Sequence, residues 1–151
     1  MSSDEFYKRE KKDIQEFNNS IIAEFRGNQG VVGGPFTNIP LLLLTTIGHK
    51  TGLERVNPLA YLHDGDRYIV IASFAGAPAN PPWYYNLISE PKVVVEAGTE
   101  RFTARATILE EPERTEMFAK MTALMPLFNE YQSKTSRIIP VIALTRETPA
   151  N

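Results

Sequence analysis

Apolar and polar positions along the chain follow patterns that predict a series of short strands. Residues 41–47, LLLLTTI, form a continuous apolar and β-prone run, which is typical of a buried strand. Residues 100–109 instead place apolar side chains at alternate positions, as expected for a half-buried antiparallel strand. Pro58 marks its strand as an edge or a bulge, because proline has no amide to donate to a neighbouring strand. The six predicted strands span residues 41–47, 55–62, 67–73, 92–96, 100–109 and 138–145.

The N-terminal segment has a helical period. Apolar residues recur there at intervals of three and four, at Ile14, Phe17, Ile21, Ile22 and Phe25. This spacing predicts an amphipathic helix over residues 1–26, and Ser2 with Glu5 resembles a capping box that would start it. The favoured interpretation is a helix packed on the rest of the chain or on a partner subunit. Its basic residues are interleaved with acidic ones, so a weak peripheral membrane contact is the minority alternative.

Two further helices and one hairpin are predicted from their boundary residues. Pro82 suits the first turn of a short helix, and Asn80 is a candidate cap for it. Pro112 begins a second helix, whose apolar face carries Met117, Met121, Leu124 and Phe128. Residues 63–66, His-Asp-Gly-Asp, predict a tight turn, because Asp-Gly tolerates positive φ angles. Short strands joined mostly by tight turns argue for a mainly β, α+β fold built on a small antiparallel barrel.

Composition and charge exclude several classes of function. The 151 residues carry a formal net charge of -2 and no cysteine, which gives no drive toward nucleic acid and excludes thiolate chemistry. No signal peptide or membrane-spanning run is visible, so we expect a cytoplasmic protein. His49 and His63 lack carboxylate partners at metal-ligand spacing, and no metal site is predicted. Ser73 lies in ASFAG rather than in GxSxG, which disfavours a hydrolase.

Residues 48–52, Gly-His-Lys-Thr-Gly, are the best candidate for a binding loop. The two glycines allow a sharp turn with outward-facing amides, while Lys50 adds a charge and Thr51 a hydroxyl. This chemistry suits a phosphate, although an ordinary polar hairpin turn fits the spacing equally well. The loop is neither a Walker A motif nor a dinucleotide fingerprint. Together with the aromatic residues 83–85, it suits a flat, phosphorylated cofactor whose ring performs the reaction.

Three linked segments, TTIGHKTGLERVNPL, DGDRYIVIAS and NPPWYYNLISEPKVVV, resemble the deazaflavin-dependent nitroreductase family. The similarity covers about residues 33–145. It implies a six-stranded antiparallel split β-barrel of the FMN-binding-like type over residues 27–151, which would form the cofactor-binding domain after the N-terminal helix. It also implies coenzyme F420, an 8-hydroxy-5-deazaflavin with a phosphate and an oligoglutamate tail. Members of this family transfer a hydride from the reduced deazaflavin to quinones, enones or nitro compounds.

The same resemblance implies roles for individual residues. His49, Lys50 and Thr51 would meet the phosphate and the anionic tail. Ser73 and Tyr131 would be the catalytic residues that act on substrate, with Ser73 also beside the deazaflavin ring. The remaining cofactor contacts would come from Arg55, Val56, Asn57, Pro58, Leu59, Ala60, Ile71, Ala72, Phe74, Pro82, Trp83, Tyr84, Tyr85, Asn86 and Phe128. Packing is the alternative role for Trp83 and Tyr85.

The sequence departs from the family where the substrate is expected. Nitroimidazole-reducing members place tyrosines around the positions of Ala60, Met125 and Phe128, whereas Tyr131 is retained. A more apolar pocket favours quinones and enones over nitroimidazoles. Two alternatives stay open: an enzyme that uses FMN, and a deazaflavin-binding protein without turnover. The expected partners are a small-molecule hydride acceptor and a second copy of the chain in a homodimer.

Overall fold

The computed structural model describes residues 3–147, with side chains from Lys12 onward, and in this part of the chain seven antiparallel strands form one sheet. The helices are α1 (Ser3–Gly27), α2 (Pro82–Ser89), α3 (Glu113–Leu124) and α4 (Leu127–Ser133). The strands are β1 (Leu41–Ile47), β2 (Glu54–Ala60), β3 (Leu62–Asp64), β4 (Arg67–Ile71), β5 (Lys92–Ala97), β6 (Glu100–Ile108) and β7 (Val141–Arg146). Their order across the sheet is β2-β1-β5-β6-β7-β4-β3.

The connection at Tyr61 requires the sheet to curl. β2 and β3 lie at opposite edges of the sheet, yet only Tyr61 separates Ala60 from Leu62. The two edges must therefore lie side by side, and closing a sheet in this way protects edges that would otherwise be open to other chains. The Tyr61 amide leaves the ladder and donates to the carbonyl of Pro40 at 3.1 Å. The predicted mainly β, antiparallel barrel is confirmed, and this break divides the predicted strand 55–62 in two, which makes seven strands instead of six.

The continuous apolar run of β1 is explained by its two covered faces. Leu42 and Leu44 belong to the core inside the curled sheet. Leu41 and Leu43 point the other way, into a cluster with Phe25 of α1. Because side chains alternate along a strand, a strand that is covered on both sides needs apolar residues at every position. β1 spans residues 41–47 as predicted.

The strand β4 is also covered on both faces. Val70 lies in the core inside the barrel, whereas Ile69 and Ile71 face outward. There they pack with Met117 and Met121 of α3, so these two methionines serve as core packing, as expected from the sequence. Residues 65 and 66 join β3 to β4 in the tight hairpin that the sequence predicted.

Helix α1 is attached to the barrel along its C-terminal half. Phe25 is 2% exposed, and Arg26 forms a two-bond ion pair with Glu96 of β5 at 3.0 and 2.8 Å. After the helix, Gly30 adopts a φ of +86° and approaches the backbone of Gly98 so closely that a Cβ would lie 2.6 Å from the Gly98 Cα. The favoured interpretation of a helix packed on the barrel is therefore confirmed for this half of α1. The proposed capping box lies outside the described part of the structure, which includes neither Ser2 nor the side chain of Glu5.

Two boundary predictions near prolines are wrong. The helix that follows Pro112 stops at Leu124, which is 60% exposed, and Phe128 belongs to the separate helix α4. Pro126 explains the break, because proline lacks the amide that would continue the helical hydrogen bonds. The last strand begins at Val141 rather than residue 138, directly after Pro140.

The prediction that Asn80 caps α2 is also wrong, whereas the prediction that Pro82 lies in its first turn is correct. Pro82 is in the first turn as expected, but Pro81 is the N-cap and no side chain caps the helix. Asn80 instead accepts a hydrogen bond from Arg137 at 2.8 Å. Its amide oxygen is thereby held by a residue far along the chain.

Candidate functional site

The loop between β1 and β2 is closed by its own hydrogen bonds. The amide of Gly48 donates to the carbonyl of Leu53, and the amide of Gly52 donates to the carbonyl of Gly48, both at 2.8 Å. Gly52 has a φ of +70°, a conformation that side chains other than glycine rarely adopt. Among the described residues, no acceptor is present for the amides of Lys50 and Thr51. These two N–H groups are therefore available to an anionic ligand.

Gly48 is required by the tight packing of this loop. A Cβ at this position would lie 2.7 Å from the Thr51 Oγ1 and 3.3 Å from the carbonyl oxygen of Leu53. The Thr51 hydroxyl also accepts a hydrogen bond from the Leu53 amide at 3.2 Å. The loop therefore has a defined shape, with the side chains of Lys50 and Thr51 exposed.

Asn86 of α2 anchors the loop from the interior. Its side chain is 4% exposed, and its Oδ1 accepts from the His49 amide at 3.0 Å and lies 2.8 Å from the His49 Nδ1. Its Nδ2 donates to the Thr46 Oγ1 at 3.0 Å. Because the His49 amide can only donate, the Asn86 oxygen must face it, and the His49 Nδ1 then carries a hydrogen. The His49 Nε2 is the ring nitrogen left for a ligand.

A cleft of about 1030 Å³ lies between this loop, β2, α1 and the start of α2. The loop and β2 contribute residues 48–51 and 54–57. The α2 side contributes Asn80, Pro82, Trp83, Tyr85 and Asn86. The α1 side contributes Gln15, Asn19, Ile22 and Arg26. The cleft is large enough for a cofactor-sized ligand.

The charge of the cleft is positive on the loop side. Lys50 and Arg55 face a single carboxylate among the lining residues, that of Glu54. Arg26 also lines the cleft, and its hydrogen bond to Glu96 raises its pKa, so it stays cationic. Two exposed cations and two available amides make this end of the cleft suited to phosphate or carboxylate groups.

The α2 side of the cleft is aromatic. Trp83 is 5% exposed and belongs to the barrel core, and it also lines the cleft. Tyr85 is 42% exposed, and its ring lies 6.1 Å from that of His49. Trp83 therefore packs in the barrel core, as considered from the sequence, and also lines the cleft.

The structure brings together about half of the residues that the sequence placed in the site. Those that line the cleft are His49, Lys50, Thr51, Arg55, Val56, Asn57, Pro82, Trp83, Tyr85 and Asn86. Those that do not line it are Pro58, Leu59, Ala60, Ile71, Ala72, Ser73, Phe74, Tyr84, Phe128 and Tyr131. Several of the second group lie in packed clusters: Leu59, Ala72 and Tyr84 at the barrel core, Ala60 beside α1, and Ile71, Phe128 and Tyr131 beside α3.

Ser73 and Tyr131 lie on elements that contact each other. Ser73 precedes a 3-10 turn, Phe74–Gly76, and a Cβ at Gly76 would lie 2.7 Å from the Tyr131 carbonyl oxygen. The hydroxyls of Ser73 and Tyr131 make no hydrogen bond to other described residues. No enclosed side-chain polar atom in the described part of the chain lacks a partner, so both hydroxyls keep some solvent exposure, although Ser73 as a residue is only 8% exposed. They are free to meet a ligand.

Sequence reasoning missed the contribution of α1 to the cleft. Gln15, Asn19, Ile22 and Arg26 are spaced by four, three and four residues, so they form one face of the helix. This regular spacing was the available signal, but the apolar positions of the same helix give a stronger helical pattern. Glu54 and Asn80 were also missed as lining residues. Within residues 3–147, no three histidine or carboxylate side chains gather as a metal site.

The curled antiparallel barrel and its cationic, aromatic-walled cleft define a split-barrel protein with a site suited to a flat anionic ligand. The chain belongs to the F420H(2)-dependent quinone reductase family, whose model matches residues 19–146. An F420H(2)-dependent quinone reductase of Mycobacterium tuberculosis is 38% identical over 128 residues, which cover 82% of this chain and 86% of that protein.

Solved structures agree with this assignment. An F420-H2 dependent reductase, FDR-A, superimposes with a TM-score of 0.65 at 36% identity, covering 70% of this chain and 93% of that chain. A second structure, described as a domain-swapped dimer, has a TM-score of 0.68 at 29% identity and covers 95% of this chain and 99% of its own. None of the described helices combines the length and the apolar character needed to cross a membrane.

Proposed function

We propose that this chain is an enzyme that transfers a hydride from reduced coenzyme F420 to a quinone. The observation that carries this proposal is the pairing, in one cleft, of a cationic loop with an aromatic wall. The family and the M. tuberculosis relative are both named for F420H(2)-dependent quinone reduction, which supports the choice of cofactor and acceptor.

The donor set of the cleft fits the anionic part of this cofactor. The amides of Lys50 and Thr51 have no acceptor among the described residues, and Lys50 and Arg55 line the same cleft. Charge-assisted hydrogen bonds from such groups are the strongest that a protein offers to phosphate and carboxylate. Lys50, Thr51 and Arg55 would hold the phosphate, while Arg26 on the α1 side would meet carboxylates of the tail.

The aromatic wall fits the flat part of the cofactor. Trp83 packs in the barrel core, and Pro82 and Tyr85 line the cleft with it. When bound there, reduced F420 would supply the hydride. The protein residues supply orientation, and holding two reactants at near-attack distance accounts for much of the rate acceleration in such reactions.

Ser73 and Tyr131 are the proposed donors to the acceptor. Negative charge develops on the quinone oxygen as the hydride is transferred, and a nearby hydroxyl would stabilise it. The support is that both hydroxyls keep some solvent exposure and have no hydrogen-bond partner in the described residues. The apolar character of Met125 and Phe128, which pack beside Tyr131, favours quinones and enones over nitroimidazoles.

We also propose a homodimer that uses the exposed apolar part of α1. Ile14 and Phe17 lie three positions apart on this helix and are each 51% exposed, so a second copy that covers them would bury apolar surface. The chain covers 99% of a structure described as a domain-swapped dimer. Light scattering after gel filtration would test this, with twice the monomer mass expected. The cytoplasmic location and the weak membrane contact of α1 stay predictions.

The experiment that tests the proposed activity is quinone reduction with purified protein. Reduced F420 is mixed with the enzyme and menadione, and reoxidation is followed by the return of deazaflavin absorbance. The expected result is turnover that depends on both enzyme and quinone. F420 binding without turnover would support the non-catalytic binding alternative, and turnover with reduced FMN alone would support the flavin alternative.

A further inference from the structure

The guanidinium of Arg137, a residue between α4 and β7, donates four hydrogen bonds. Its Nη2 donates to the carbonyl of Ser73 at 2.7 Å, and its Nε donates to the carbonyl of Ala77 at 2.9 Å. Its Nη1 donates to the carbonyl of Ala72 at 3.2 Å and to the Asn80 Oδ1 at 2.8 Å. One guanidinium therefore ties together residues 72–80, the segment that joins β4 to α2.

This segment needs such a restraint because its backbone is strained. Phe74 and Ala75 have φ angles of 46° and 53°, in the left-handed region that residues with a Cβ avoid. Such conformations persist only where surrounding contacts hold them, and they concentrate at functional sites. The Ser73 carbonyl accepts both from Arg137 and from the Gly76 amide, at 2.7 and 2.9 Å, so the clamp acts on the strained turn directly.

Arg137 is itself held in place by α3 and α4. Its carbonyl accepts from the Gln132 Nε2 at 2.8 Å. Arg114 of α3 donates to the Ile139 carbonyl at 2.7 and 3.0 Å and to the Gln132 Oε1 at 3.2 Å. A continuous set of hydrogen bonds therefore runs from α3 through Arg137 to the cleft wall at Asn80, which lines the cleft.

We propose that Arg137 is a positioning residue of the hydride-transfer site, which fixes the Asn80 wall of the cleft and the backbone that carries Ser73. This inference rests on the proposed function. Five N–H donors in a planar fork allow arginine to make four bonds at once, and lysine cannot reproduce that geometry. Removing the fork lets the segment relax from its strained form, so reactants bind in geometries that transfer the hydride slowly.

The test compares Arg137→Met and Arg137→Lys with the control Arg67→Met. Arg67 is a suitable control because it too is an arginine with more than one polar partner. It forms ion pairs with Asp64 at 2.6 Å and Glu113 at 3.0 Å, but it contacts neither the cleft nor residues 72–80. Each variant is assayed at the same interval below its own Tm. Single-turnover oxidation of reduced F420 by saturating menadione gives the rate of hydride transfer, and fluorescence titration gives the Kd for F420.

The expected result is a rate at saturation at least about tenfold lower in Arg137→Met, a smaller loss in Arg137→Lys, and a rate within twofold of wild type in Arg67→Met. If Arg137→Met does not fold, a loss of at least threefold in Arg137→Lys against the control is the expected result. Rates for the Arg137 variants that equal the control would overturn the proposal.

Hydrogen exchange separates this inference from the proposed function. The amides of Gly76 and Ala77, which donate within the turn, should lose protection in Arg137→Met and keep it in Arg67→Met. Wild-type protein that neither binds F420 nor reduces menadione would defeat the proposed function, whatever the exchange result. Unchanged protection of both amides in Arg137→Met would overturn the positioning role.

Discussion

At the scale of single residues, one buried amide organises the binding loop. Asn86 bonds to the backbone and the ring of His49 and to the hydroxyl of Thr46, so α2, β1 and the loop share one anchor. The loop's exposed side chains then project from a fixed frame. Rigid placement of this kind lowers the entropy lost when a ligand binds. The sequence named Asn86 as a contact to the cofactor, and its described bonds are all to the protein.

Lys50 should contribute to cofactor affinity through its charge. Lys50→Ala is expected to weaken F420 binding by roughly 1–3 kcal/mol, the size of a hydrogen bond to a charged group. The difference from wild type should narrow at high salt, because exposed charges are screened. Fluorescence titration at low and high salt measures it. Lys120→Ala on α3 removes the same charge from an exposed position outside the cleft and should leave the Kd unchanged. An unchanged Kd in Lys50→Ala at low salt would remove Lys50 from the site.

Ser73 and Tyr131 should affect the chemistry more than cofactor binding. Ser73→Ala and Tyr131→Phe each delete one hydroxyl and are expected to lower menadione turnover by roughly tenfold or more, the loss of part of an oxyanion-type interaction. The F420 affinity should change little, because neither residue lines the cleft. Steady-state kinetics with parallel titrations give both quantities. Equal losses in affinity and turnover would place the residue on the cofactor, and unchanged activity in both variants would refute the catalytic assignment.

Asp64 should make stability depend on pH in the acid range. Its hydrogen bond from Arg67 lowers its pKa in the folded protein. The resulting stabilisation is therefore complete above the unfolded pKa of about 3.9 and is lost as the pH falls through the lower folded value. Asp64→Asn should be less stable than wild type at pH 7 by up to about 1 kcal/mol, since the pair is partly exposed. Thermal unfolding should show the two Tm values converging below about pH 4. A constant difference down to the lowest pH would contradict this.

At the scale of elements, α1 has two roles on two faces. Ile21 and Phe25 pack against Leu41 and Leu43 of the barrel. A neighbouring face of α1 lines the cleft, so the helix both covers the barrel and forms one wall of the cleft. The sequence predicted the helix because its apolar period is strong. It did not predict the cleft face, because polar residues at helical spacing are the ordinary surface of any amphipathic helix.

The contact between Gly30 and Gly98 should be essential for this attachment. Gly30→Ala places a Cβ 2.6 Å from the Gly98 Cα at a φ of +86°, and the backbone conformation alone costs roughly 1–3 kcal/mol. Gly33→Ala is the matched control, because a Cβ there meets nothing within 4 Å. Urea unfolding should show a clear loss for Gly30→Ala, and F420 affinity should fall with it because α1 lines the cleft. Equal stability of the two variants would show that the close approach is not needed.

The boundaries of elements were harder to predict than their existence. The apolar run of β1 and the hairpin at residues 63–66 depend on local sequence, and both were predicted correctly. The break at Tyr61 depends on the curl of the whole sheet, which no local pattern reports. Pro126 was a visible signal for the end of α3, but the apolar spacing across it outweighed the proline in the interpretation.

At the scale of the whole molecule, the cleft is assembled from segments that are distant in sequence. Residues of α1, of the loop after β1 and of α2 all line the cleft. β1 connects them, because α1 packs on the face of β1 that carries Leu43 and α2 packs on the face that carries Leu44. Sequence motifs identified the loop and α2 directly. The contributions of α1 and of Arg137 required the fold, since their polar groups are brought to the site only by packing that spans most of the chain.

In the proposed complex, this cleft binds coenzyme F420 through its cationic loop. The most direct measurement is a fluorescence titration that compares the Kd for F420 with the Kd for FMN, using wild type, Lys50→Ala and Lys120→Ala at low salt. We expect saturable binding of one F420 per chain, weakened in Lys50→Ala alone, and much weaker binding of FMN. Tighter binding of FMN than of F420, or F420 binding that is insensitive to Lys50, would rule out this mode of binding.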